Sequence, residues 1–69
     1  MAANRISRNP AILGGKPCIT GTRIPVTTIL EMLEDGLFFD DIVRDYYPQL
    51  SAADIKACLE YAKTVADDV

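Results

Sequence analysis

Ile24-Pro25-Val26-Thr27-Thr28-Ile29-Leu30-Glu31-Met32-Leu33-Glu34-Asp35-Gly36, residues 24–36, is where the sequence changes period. Before Pro25 short apolar runs alternate with glycine and proline. After it Val26, Ile29, Leu30 and Leu33 recur at the spacing of one helix face. Gly36 followed by Leu37 then reads as a left-handed C-terminal cap with its hydrophobic contact, and Thr28 with Glu31 has the spacing of a capping box. The pattern predicts a first helix over residues 26–35.

Downstream, Asp40 and Asp41 fall in the first turn of a predicted second helix over 39–46, where carboxylates meet the positive end of the helix dipole, and Pro48 stops it. Ser51 with Asp54 predicts a capping box for a third helix over 52–66, with Ile55, Leu59, Ala62 and Ala66 as its core stripe and the acidic tail Asp67-Asp68-Val69 fraying. Phe38 and Phe39 are adjacent at a helix start and cannot both face one core, so one of them is expected to be exposed and available to a partner. The other aromatics, Tyr46, Tyr47 and Tyr61, are read first as core.

Upstream, Gly14-Gly15 lies between Ala11-Ile12-Leu13 and Cys18-Ile19, which predicts a β-hairpin turning on the glycines. Pro10, Pro17 and Pro25 suit strand ends and edges. The expected fold is mainly α: a three-helix, helix-turn-helix (homeodomain-like) bundle preceded by a short N-terminal β-hairpin. Residues 1–69 form one domain, with 1–25 an extended arm and 26–69 the helical body.

A chain of 69 residues buries too little surface to be more than marginally stable alone, so a partner or oligomerisation is expected to help. Disulfides and metals offer little: there are two cysteines, Cys18 and Cys58, and no histidine, so neither a metal nor another cofactor is expected. No apolar run approaches the roughly 20 residues of a membrane span, and Met1-Ala2-Ala3-Asn4-Arg5 does not open a signal peptide. The expectation is a cytoplasmic protein with reduced thiols, Cys58 serving as a small core residue.

The net charge of −3 hides an asymmetry: residues 1–25 hold Arg5, Arg8, Lys16 and Arg23 and no acid, while residues 26–69 hold all ten acids against Arg44, Lys56 and Lys63. A basic arm is joined to an acidic body. The arm's four cations are candidate phosphate contacts, or else an ordinary solvated hairpin surface. The third helix occupies the recognition-helix slot, yet its non-core positions Ala52, Ala53, Lys56, Ala57, Glu60 and Lys63 include no bidentate Arg, Asn or Gln for reading bases.

Catalytic chemistry finds no footing in the pattern. Leu13-Gly14-Gly15-Lys16-Pro17 lacks the Ser or Thr and the following helix of a phosphate loop. Without histidine a Ser or Cys nucleophile lacks its commonest base, and Glu34-Asp35 and Asp40-Asp41 sit at helix ends where acids are ordinary solvated residues. The expectation is a non-enzymatic binding module.

The residues also resemble a known family, domain of unknown function 433. The resemblance runs through Asn9-Pro10 with Ile12, Gly15-Lys16-Pro17, Ile19 with Gly21-Thr22-Arg23-Ile24-Pro25-Val26, Ile29-Leu30, Gly36, Ile42, Tyr47-Pro48, Leu50, Asp54-Ile55 and Ala62. Gly-Thr-Arg-Ile-Pro-Val is its specific part, and Phe38 departs from the Ser or Thr expected before the second helix. The family is similar in fold to homeodomain-like proteins with an N-terminal hairpin, and the resemblance implies an antitoxin that neutralises a PIN-like nuclease toxin, with autorepression of its operon; a homodimer is the expected form, since so small a domain gains stability from oligomerisation. It carries over no catalytic residue and no role for Gly21, Thr22 or Arg23; on structural grounds Gly21 is expected to enable a turn and Arg23 to staple hairpin to helix. The rival readings are a DNA-binding regulator acting through Arg5, Arg8, Lys16 and Arg23, and an adaptor with neither role. Whether the hairpin pairs within one chain or between two stays open.

Overall fold

A computed structural model describes residues 5–67, so Met1–Asn4 and the tail residues Asp68 and Val69 lie outside the described residues. The order is β1 (Ile6–Ser7), β2 (Cys18–Ile19), α1 (Val26–Glu34), α2 (Phe39–Asp45) and α3 (Ala52–Asp67). This is the mainly helical fold with an N-terminal hairpin that the sequence predicts, and α2, the connection 46–51 and α3 are compatible with a helix-turn-helix-like arrangement.

The hairpin is real but its strands are not those expected. β1 pairs antiparallel with β2 within the chain, Ile6 opposite Ile19 and Ser7 opposite Cys18. Residues 11–13 belong instead to the connection. There the Asn9 carboxamide oxygen accepts from the Ala11 N–H at 2.9 Å, the Asn9 carbonyl accepts from the Ile12 N–H at 2.8 Å, and Leu13–Gly15 form a 3-10 turn. Asn9 offers the backbone a local alternative to a ladder, and Pro10 has no N–H to give one.

On its other edge β2 meets the residues leading into α1. Cys18 bridges Pro25, the Ile19 N–H donates to the Ile24 carbonyl at 3.0 Å, and the Val26 N–H donates to the Pro17 carbonyl at 3.0 Å. Pro25 is tolerated because it lies on the outer edge. The first helical N–H is thereby satisfied by the strand, and no side chain caps α1: its N-cap is Pro25, and Thr28 lies inside the first turn rather than starting a capping box with Glu31. At the other end Gly36 adopts φ +96°, its N–H donates to the Leu33 carbonyl, and the Leu37 N–H reaches back to the Met32 carbonyl at 3.1 Å. That is the predicted glycine cap in its Schellman form.

α2 starts without a side-chain acceptor at Phe38, since a phenyl ring has none; Asp41 Oδ2 accepts from the Phe38 N–H at 2.9 Å and supplies half of a capping box. Arg44 laces the helix to Asp41 and Asp45, each at 3.0 Å. Its hydrogen bond holds the Asp45 carboxyl below the usual carboxylate range. α3 carries the full box, with the Ser51 N–H donating to Asp54 at 2.9 Å and the Asp54 N–H to the Ser51 hydroxyl at 3.4 Å.

One core joins hairpin and helices: Ile19, Ile24, Val26, Ile29, Ile42, Leu50, Ile55 and Cys58 are buried together. The stripe expected on α3 is shifted. Ile55, Ala57 and Cys58 are buried with Tyr61 and Ala62 half-buried, whereas Leu59 and Ala66 are exposed. The physical reason is that α3 packs against β1, α2 and α1, so its buried face centres on Cys58 and is wider than one narrow row. Ala57, expected on the solvent face, is part of that surface.

Candidate protein-docking surface

Three apolar side chains of α3, Tyr61, Ala62 and Val65, face Val26 and Leu30 of α1 across an open groove of about 430 Å³. Thr27 adds a hydroxyl from α1, and Pro17 with Lys16 closes the end next to β2. The volume is in the range of pockets that accept a ligand or anchoring side chains. Of the described residues that line it only Lys16 is charged, although all ten acids of the chain lie C-terminal to residue 25. Val65 is 47% exposed and stands on the rim.

A second apolar feature lies at the start of α2. Phe38 is 76% exposed, while its neighbour Phe39 packs partly buried against the core. Tyr46, at the far end of α2, is also exposed rather than core.

The arm's cations are not equivalent. Arg5 Nη1 donates to Asp54 Oδ1 at 2.8 Å, tying the start of β1 to the first turn of α3. Burial raises the Asp54 carboxyl, but the Ser51 N–H, Arg5 and the Ser51 hydroxyl outweigh it and hold the group below its ordinary value. Arg8 Nε donates to the Gly15 carbonyl at 3.5 Å across the β1–β2 connection. Lys16 and Arg23 are exposed, and no acid among the described residues pairs with either. The staple suggested for Arg23 is therefore made by Arg5, because Arg23 sits on an outward-facing turn while Arg5 enters β1 beside the α3 cap.

That turn explains much of Gly21-Thr22-Arg23-Ile24-Pro25. Gly21 has φ +82°, a conformation open to residues without a Cβ. The Thr22 hydroxyl donates to the Ile19 carbonyl at 2.7 Å and accepts from the Ile24 N–H at 3.0 Å, so it clamps both sides of the turn. Gly15, Lys16 and Pro17 lead into β2 and bring the carbonyl of Pro17 to the start of α1.

Among the described residues no three His, Cys, Asp or Glu side chains gather as a metal site would, and no helix is long and apolar enough to cross a membrane. Both cysteines are free and buried. Burial, with a smaller push from Asp54, raises the Cys58 thiol to about 11.

A family model described as a protein of unknown function, DUF433, matches residues 6–62. The chain belongs to the DUF433 family. A crystal structure of a DUF433 member from Anabaena variabilis ATCC 29413 is similar over 94% of this chain, at 31% identity and a TM-score of 0.82. This chain spans 63% of the length of that one. No curated protein matches it.

The groove went unread in the sequence. Tyr61, Ala62 and Val65 do have the i, i+1, i+4 spacing of a helix face, but that signal is indistinguishable from core until the packing partners of α3 are known.

Proposed function

We propose that this DUF433 chain is the antitoxin of a bacterial type II toxin–antitoxin pair, a cytoplasmic homodimer that binds and inhibits a PIN-like nuclease toxin. The observation that carries the reading is the open apolar groove between α1 and α3, in a domain too small to leave apolar surface uncovered without cost. Phe38 supports it. The ring occupies a position where Ser or Thr would cap α2, so the chain forgoes a cap and keeps an exposed aromatic, the kind of side chain that anchors interfaces. The acidic body adds electrostatic attraction for a basic nuclease surface.

The test is co-expression with the product of the adjacent gene, followed by affinity purification and a growth assay. A stable complex that relieves growth arrest is expected; an adjacent product that neither binds nor is neutralised would sink the reading.

Lys16 and Arg23, exposed and without a described acid partner, favour a second role in contacting operator phosphates for autoregulation. Lys16→Ala with Arg23→Ala should then weaken binding to promoter DNA at all sequences alike and flatten its salt dependence. Unchanged affinity and salt slope would remove this role.

A further inference from the structure

The lining of the α1–α3 groove says what kind of segment fits it. Its walls are two helices presenting Val26, Leu30, Ala62 and Val65, a surface into which the apolar side chains of a third helix pack at i, i+3 and i+4. Its charge is confined to one end. Lys16 precedes Pro17, whose carbonyl holds the Val26 N–H at 3.0 Å, so this lining residue sits beside the N-terminal end of α1, where the helix dipole is also positive. Among the described residues no carboxylate lines the groove to neutralise it, in a chain whose helical body is otherwise acidic.

We propose that this groove seats an amphipathic helix of the toxin, whose apolar stripe lies between α1 and α3 and carries one carboxylate set against Lys16. The inference rests on the antitoxin reading. The carboxylate fixes the direction in which the helix lies, because reversing it would take the acid away from the groove's charged residue, Lys16. The remaining flanks of the toxin helix are basic or neutral, to suit the acids outside the groove.

The experiment measures the affinity of the purified chain for the product of its adjacent gene, for wild type, Val65→Asp and Lys16→Glu. Both residues are exposed, so the variants should fold, and circular dichroism with a thermal melt checks this. The expected result is at least tenfold weaker binding for Val65→Asp, which places a charge on the apolar wall, and several-fold weaker binding for Lys16→Glu, with a smaller salt dependence. Wild-type binding left unchanged by both folded variants would overturn the groove as the seat while leaving the antitoxin reading in place. Loss with Val65→Asp but not with Lys16→Glu would overturn the carboxylate and its directional role. Absence of wild-type binding would overturn the antitoxin reading and the groove's occupant together.

Discussion

Thr22 shows how one hydroxyl can set a local fold. It donates to Ile19 and accepts from Ile24 across the Gly21 turn, and both partners belong to the buried core. Thr22→Val keeps the shape and removes both bonds, leaving the Ile24 N–H without an acceptor; a loss of about 1–2 kcal/mol in urea unfolding is expected. A midpoint within error of wild type would show that water replaces the hydroxyl. Asp54 is a second single-residue lever, since it closes the α3 cap and receives Arg5 from β1. Its carboxyl is held below the ordinary value, so its contribution to stability is complete above about pH 4 and is lost as the pH falls through the lower folded-state value. Asp54→Asn should therefore melt below wild type at neutral pH, with the gap narrowing in acid; a gap that stays constant to pH 2 would contradict the assignment. Neither role could be read from spacing alone in full: Ser51 with Asp54 announced the cap, but Arg5 lies 49 residues away and only the fold brings it there.

Element by element, the sequence is most legible where local chemistry decides the outcome. α1, the Gly36 cap, the break before Pro48 and the Ser51 start of α3 follow from periodicity and end signals, and each stands within a residue or two of its expected bounds. Features set by distant partners were less so. The strand that pairs with Cys18–Ile19 is Ile6–Ser7 rather than the nearer Ala11–Leu13, because Asn9 and Pro10 favour a local turn over a ladder. The α3 stripe shifted because several elements share that helix, and the same sharing left the groove residues Tyr61 and Ala62 looking like core. The start of α2 gives the sharpest test of a trade between stability and binding. Asp41 already accepts from the Phe38 N–H, so Phe38→Ser would complete the capping box. The variant should gain about 0.5–1 kcal/mol of stability while binding the proposed toxin partner more weakly. If stability rises and binding is untouched, Phe38 is not a contact; if stability falls, its exposed ring packs more than its surroundings indicate.

At the scale of the molecule the question is whether the hairpin and the helices unfold together. Ile19 and Ile24 share a single buried cluster with Ile29, Ile42, Ile55 and Cys58, and the Pro17–Val26 hydrogen bond joins β2 to α1. Such a shared core implies one cooperative unit rather than a detachable arm. The two cysteines sit on opposite sides of that question, Cys18 in β2 and Cys58 in α3, and both are buried. Cys58 is fully enclosed, and its thiol, raised to about 11, stays protonated at neutral pH while the chain is folded, so labelling requires opening. If the core opens as one, Cys18 and Cys58 should react with a thiol reagent with the same opening free energy, and a saturating amount of the proposed toxin partner should slow both alike, since a ligand bound only to the folded state deepens the whole basin. Faster labelling of Cys18 alone would instead show a hairpin that lifts from an intact helical body. That result would relocate the binding problem, because Lys16 and Pro17 would then leave the groove with it and the proposed partner would have to order the arm as it binds.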